Sequence, residues 1–144
     1  MIKTAQQQQQ QHADGLSLWF GGERLGRLGP VDTDQPWLFA DVTYEQLELA
    51  AMLERVSHFR NVLVEQMPDF DDEIESDQHY DAVLLREGLT HQAVEAFSLG
   101  GWEICGGGQR EAIQVFSLSR GTLQWRGPMG SALRQFIRAA DQTR

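Results

Sequence analysis

Six carboxylates lie within nine residues of this chain, and no lysine, arginine or glycine interrupts them: Asp69, Asp71, Asp72, Glu73, Glu75 and Asp77. Groups at alternate positions of this run have the spacing of the oxygen ligands in a calcium-binding loop. The run lacks the glycine at which such a loop bends, and a helix would spread the carboxylates around its circumference. We therefore predict no metal site and no cofactor.

The same acids suit the start of a helix, because negative side chains in the first turn complement the helix macrodipole and cap free amides. A few such groups would be enough, and six repel one another, so the surplus favours a binding role. We interpret the run as an edge that docks a basic protein surface. Its predicted binding residues are Asp71, Asp72, Glu73, Glu75 and Asp77. The alternative is a merely solvated helix start.

Charge along the chain is strongly asymmetric. Residues 31–108 hold 17 acidic residues against 3 basic ones, residues 109–144 hold 2 against 6, and the formal net charge is −9. An acidic middle disfavours nucleic acid and anionic membranes, and it favours encounter with a basic protein. We expect a basic protein partner, no nucleic-acid partner and no membrane association.

Three other features contain residue types that occur in catalytic or binding sites, but they lack the spacing or the flanking residues that such sites require. His79 has a carboxylate two residues away on either side, yet no histidine has metal-ligand spacing. Cys105 is the single cysteine and is expected to be a buried core thiol. The glycines at 106–108 lead into a strand and lack the Gly-Lys-Ser/Thr ending of a phosphate loop. We assign no catalytic residue.

The elements that must position these residues begin with a β-hairpin, because the Gly-Gly pair at 21–22 tolerates the positive φ of a two-residue turn. Pairing across this turn sets Leu18 opposite Leu25 and Trp19 opposite Arg24. The leucines would face the core. Trp19 would lie on the other face beside arginine, where a cation–π contact can form, and we predict it to be an exposed anchor for a partner.

A third strand is predicted at 37–42, followed by a long helix. Thr43 and Gln46 have the form of a capping box at its start, and Pro68 ends it. Apolar residues recur along it at three- and four-residue steps: Leu49, Met52, Val56, Phe59, Leu63 and Met67.

The acidic run opens a second predicted helix, at 71–87, which Gly88 terminates. Its apolar residues are Ile74, Tyr80, Val83, Leu84 and Leu85. A further short helix is predicted at 90–99.

The last part of the chain predicts a strand at 102–105, a loop at 106–110 and a second hairpin. A turn at Arg120-Gly121 sets Leu118 against Leu123 and Phe116 against Trp125, with both pairs on the core face. A C-terminal helix is predicted to begin at residue 128 or 131.

Because hairpins dominate this order, we predict an α+β fold: a single domain at 15–144 with a mainly antiparallel sheet built from two β-hairpins plus added strands. Two or three central helices and the C-terminal helix would cover one face of the sheet. Residues 1–14 contain a glutamine tract and are predicted to be a disordered tail. The chain shows no apolar stretch typical of a membrane span or a signal segment, which favours a soluble, cytoplasmic protein.

Charge and architecture together favour a non-enzymatic binding module, of the kind formed by an inhibitor or an immunity-type antidote to a basic toxin or nuclease. A second hypothesis is a self-assembling structural or accessory protein, in which Arg134 and Arg138 of the basic C-terminal helix meet the acidic edge of another subunit. A third is an enzyme with an unrecognised carboxylate or His79 site.

Overall fold

A computed structural model describes residues 15–34 and 36–126. Within these ranges the chain is a single-domain α+β fold with a mainly antiparallel sheet of eight strands and three helices. The predicted tail at 1–14 and the predicted C-terminal helix, with Arg134 and Arg138, lie outside the described residues.

The strands are β1 (Ser17–Phe20), β2 (Glu23–Leu28), β3 (Asp32–Asp34), β4 (Trp37–Tyr44), β5 (Trp102–Gly106), β6 (Gln109–Ala112), β7 (Gln114–Ser119) and β8 (Thr122–Arg126). The helices are α1 (Leu47–His58), which continues as a π-helical turn (Phe59–Leu63), α2 (Glu73–Arg86) and α3 (His91–Leu99). The order across the sheet is β6-β5-β1-β2-β4-β8-β7, and β3 pairs with β4.

Strand β4 joins the two halves of the sheet. Its first half pairs with β8 through residues 38–41, and its second half pairs with β2 through residues 42–44. Because Thr43 lies opposite Arg27 in this ladder, the capping box predicted at Thr43 and Gln46 does not form. Helix α1 begins after Gln46, whose side chain makes no cap and instead donates a hydrogen bond of 2.7 Å to the carbonyl oxygen of Arg24.

One face of the sheet and the inner faces of the helices share a single hydrophobic core. On the strands it is formed by alternate residues, as a half-buried antiparallel sheet requires. The core residues that are fully buried, with an exposed fraction of 0%, are Leu18, Leu25, Leu53, Val56, Phe59, Ile104, Leu118, Leu123 and Trp125. Of the stripe predicted for the first helix, Val56 and Phe59 are buried and the other members pack against the core.

The first turn contains Gly21 and Gly22, with φ of +58° and +82°. Trp19 lies opposite Arg24, as predicted, but a register shift after Leu18 sets that leucine opposite Gly26 and not opposite Leu25. Only glycine fits at position 26, since a Cβ there would lie 2.4 Å from the carbonyl oxygen of Thr43.

Residues 106–110, predicted as a loop, belong to a further hairpin. Gly107 and Gly108 have φ of +57° and +77°, and β6 returns from this turn to pair with β5. The exposed residues of β6 lie at the edge of the sheet, so no apolar alternation marks the strand in the sequence.

The hairpin of β7 and β8 contains a bulge. Leu118 lies opposite Leu123 as predicted, but Trp125 lies opposite Val115, and Phe116 is the extra residue between the two pairs. Phe116 is 47% exposed, so its predicted place in the core opposite Trp125 is wrong. A bulge inserts one residue without a cross-strand partner and redirects its side chain.

Candidate functional site

The acidic run lies at the start of α2. Asp72 is the N-cap residue, with extended backbone angles, and its Oδ1 accepts a hydrogen bond of 2.9 Å from the amide of Ile74. Glu73 and Glu75 follow in the first helical turn, where negative charge is favourable. The helix starts here because an aspartate N-cap and two first-turn acids satisfy its free amides.

Only one of the five predicted binding residues is used as a cap. Asp71, Glu73, Glu75 and Asp77 are all exposed. Within residues 15–34 and 36–126, none of these four makes a side-chain hydrogen bond or an ion pair. The structure thus places the five side chains together on one helix start, with four carboxylates unneutralised by the described chain.

Helix α2 is held to the fold by its inner face. Val83 and Leu84 are buried in the core, and the Tyr80 ring packs edge-on against Phe59 with 5.1 Å between ring centroids. Just before the helix, the Phe70 ring lies beside the His79 ring, with 5.4 Å between the ring centroids. The acidic start therefore has a defined position relative to the core.

The outer face of α2 carries two aliphatic side chains that the core does not use. Ile74 is 67% exposed and Leu85 is 80% exposed, although both were predicted among the apolar residues of this helix. They are eleven residues apart, which is close to three turns, so they share one face. Asp77 and Asp81 lie between them on nearly the same side of the helix, and the face is therefore both acidic and aliphatic.

Trp19 is not part of this surface. It alternates with buried Leu18 and Phe20, so it lies on the face of the sheet that points away from the core and the helices. It is half-buried: its indole nitrogen donates a hydrogen bond of 2.9 Å to Ser17 Oγ, and the Arg110 guanidinium lies 5.5 Å from its ring. The cation expected over this ring was Arg24, which instead forms an ion pair with Glu45.

Within the described residues, His79 contacts the Phe70 ring and makes no hydrogen bond or ion pair with a carboxylate. The residue that meets a carboxylate is His91, whose Nε2 lies 2.6 Å from Asp81 Oδ1 and whose ring stacks on Tyr80. Burial, and then the nearby Asp81 charge, raise the pKa of Tyr80. Both members of the His91–Asp81 pair are more than half exposed, so the pair joins α3 to α2 at the surface.

Arg60 is a polar residue that the sequence did not mark. Its guanidinium lies 4.8 Å from the Phe97 ring, and burial lowers the pKa of Arg60. It belongs to the π-helical turn and covers the core beside α3. The π-helical turn that contains Arg60 is not revealed by any periodicity in the sequence.

Cys105 lies on the outer face of the sheet, because it alternates with buried Ile104. It is half-buried rather than a core residue, and desolvation raises the pKa of its thiol despite the nearby Arg110. A raised pKa means less thiolate at neutral pH, which disfavours a role for Cys105 as a nucleophile. Among the described residues, no group of three or more His, Cys, Asp or Glu side chains is placed to hold a metal ion.

A polar network joins α1 to the sheet at Glu54. Its carboxylate accepts hydrogen bonds from the amides of Arg120 and Gly121 and from the Tyr44 hydroxyl. Burial, and then the bond to Glu54 and its charge, raise the pKa of Tyr44. Two of these bonds hold the turn between β7 and β8 against α1, and the third holds the end of β4 against the same helix.

No protein-family model, curated protein or solved structure matches this chain. In the part of the chain that the structure describes, no helix combines the length and the apolar character needed to cross a membrane.

Proposed function

We propose that this protein is a non-enzymatic binding module that docks a basic protein surface through the start and outer face of α2. The observation that carries the proposal is the exposure of Ile74 and Leu85 on the same helix face as Asp77, beside the unpaired carboxylates of Glu73 and Glu75 in the first turn. A solvated helix start accounts for the acids, but it does not account for exposed Ile74 in the first turn or for exposed Leu85 three turns further along the same face.

The partner's chemistry follows from this combination. Carboxylates beside exposed aliphatic side chains match a surface with arginine or lysine around apolar contacts, the usual division between a polar rim and a dry centre. Opposite charge would increase the rate of association, and the aliphatic contacts would slow dissociation. An inhibitor or immunity-type antidote to a basic toxin or nuclease fits this description, because a row of carboxylates resembles a row of phosphates.

The test compares two variants with equal changes of charge. Glu73→Gln, Glu75→Gln and Asp77→Asn neutralise the edge and leave the Asp72 cap intact. The matched control neutralises three exposed acids outside the acidic run, Glu23→Gln, Glu48→Gln and Glu95→Gln. Each tagged protein is used for affinity capture from native cell extract at low salt, with quantitative mass spectrometry.

We expect the wild type and the control to retain the same basic protein and the edge variant to lose it. Equal retention by all three proteins, or retention by none, would contradict the proposal. The self-assembly hypothesis predicts a different result, namely a sedimentation coefficient of the purified protein that falls as salt is raised.

A further inference from the structure

A second surface of distinct chemistry lies on the outer face of the sheet, where β3 meets β4. In this short ladder Asp34 lies opposite Trp37, and Asp32 lies opposite Phe39. Residues directly opposite each other point to the same face of a sheet. Trp37 and Phe39 alternate with Leu38 and Ala40, which pack in the core, so this face points away from it.

Phe116, on the edge strand β7, extends the same surface across β8. Its ring lies 5.1 Å from the Trp37 ring at an angle of 48°, and it is 47% exposed. Asp32, Asp34, Trp37, Phe39 and Phe116 are called the Trp37 patch below.

The backbone at Phe116 is held by α1 and by the π-helical turn that continues it. Asn61 donates a hydrogen bond of 3.0 Å to the carbonyl oxygen of Phe116, and Ser57 Oγ accepts one of 2.9 Å from the amide of Leu118. Buried Ser57 thus satisfies an amide just past the bulge. Two helix side chains therefore hold the backbone at Phe116 and two residues after it, so the exposed ring is part of the ordered fold.

Two carboxylates give the Trp37 patch an attraction for cations, although Arg126 of the neighbouring strand β8, one residue past the Leu38–Trp125 pair, also lies on this face. Asp32 and Asp34 are exposed and make no ion pair within residues 15–34 and 36–126. In the same ranges, cation–π contacts occur at Phe97 and Trp19 and not at the rings of the patch. Aromatic faces attract ammonium and guanidinium groups, and adjacent carboxylates strengthen that attraction while repelling phosphate.

We propose that the Trp37 patch binds an arginine or lysine side chain of a protein partner, with the cation over the aromatic rings and against Asp32 or Asp34. This site is on a different face from α2 and does not rest on the function proposed for that helix.

The test uses a peptide of alternating arginine and glycine as probe, and the same peptide with citrulline as its neutral, isosteric control. Binding is followed by NMR through the indole N–H resonances of the full-length protein. Trp37→Phe identifies the Trp37 signal. The variants are Asp32→Asn with Asp34→Asn, Phe116→Ala, and the α2 edge variant, each with its fold checked by circular dichroism.

We expect the arginine peptide to shift the Trp37 resonance saturably and the citrulline peptide to leave it in place. The double aspartate variant should weaken the apparent affinity about fivefold, and the α2 edge variant should leave the Trp37 response intact. A Trp37 signal that does not move, that moves equally with citrulline, or that responds equally in the double variant would overturn the proposal.

Two other occupants give their own signatures without peptide. If arginines of the C-terminal residues fill the patch, the variant Arg134→Gln, Arg138→Gln and Arg144→Gln will shift the Trp37 resonance in the free protein. If a second copy fills it, the resonance will move with protein concentration. Either result would mean that the Trp37 patch is occupied by this chain itself and not by a protein partner, which would overturn the proposal.

Discussion

The carboxylate of Glu54 accepts a hydrogen bond of 2.9 Å from the backbone amide of Arg120, which is 66 residues later in the chain. The bond ties the middle of α1 to the turn between β7 and β8. Glu54 also accepts a bond of 3.1 Å from the amide of Gly121, so one side chain satisfies both central amides of a two-residue turn. Helix α1 thereby fixes the end of the hairpin whose bulge presents Phe116.

Replacing Glu54 by glutamine should lower the free energy of unfolding by about 1–3 kcal/mol. A glutamine offers one acceptor oxygen where three donors converge, and it loses the charge that strengthens those bonds. Urea denaturation measures the change. Glu95→Gln, exposed in the middle of α3, serves as the control and should change stability by less than about 0.5 kcal/mol. Equal effects of the two substitutions would rule out this role for Glu54.

The backbone angles of the turn between β7 and β8 predict that two substitutions change the stability of the fold in opposite directions. Arg120 has φ of +53° and Gly121 has φ of +75°, the left-handed region that asparagine and glycine tolerate best. Arg120→Asn should therefore stabilise the fold by about 0.5 kcal/mol, and Gly121→Ala should destabilise it by about 1 kcal/mol or more. Thermal unfolding of the two variants tests the pair, and a loss of stability with asparagine would contradict the assigned turn.

Ser57→Ala should destabilise the fold by about 1–3 kcal/mol, since the buried amide of Leu118 loses its acceptor. Ser98→Ala, at an exposed helix position, is the matched control and should have little effect. In the Ser57 variant we also expect faster hydrogen exchange at Leu118 than at Leu123. Unchanged protection of the Leu118 amide would show that the serine does not hold the bulge.

The raised pKa of Tyr44 predicts a loss of stability in alkali. Below about pH 10 the hydroxyl keeps its proton in both the folded and unfolded states, so it contributes its full effect there. Above that pH the unfolded chain releases the proton while the folded protein retains it, and the free energy of unfolding falls. Urea midpoints at pH 8, 9.5 and 11 measure the decline. Tyr44→Phe should show a shallower decline, and an equal one in both proteins would contradict the assignment.

The sequence predicts well whatever depends on local pattern. The α+β class, the strand at 37–42, the apolar stripe of α1 and the end of α2 at Gly88 all follow from periodicity and from glycine and proline positions. It also places the acidic run at a helix start, where Asp72 acts as the N-cap.

What the sequence does not predict depends on long-range pairing. Thr43 has the sequence form of a helix cap, but it pairs with Arg27 in the β2–β4 ladder instead. Long-range strand pairing thus overrides a local capping motif. Phe116 was assigned to the core because regular alternation assumes no bulge, and one extra residue changes its direction. Ile74 and Leu85 were counted among the apolar residues of α2, although only the packing orientation of the helix decides which aliphatic residues it buries.

The most direct test of the central claim is the association rate of the basic protein recovered by capture, measured by stopped flow across a series of salt concentrations. We predict that Glu73→Gln, Glu75→Gln and Asp77→Asn together slow association at low salt by about tenfold and flatten its salt dependence. The control at Glu23, Glu48 and Glu95 should keep most of the wild-type rate. An edge variant that associates as fast as the wild type, with the same salt dependence, would contradict the claim that the acidic start of α2 is the docking surface.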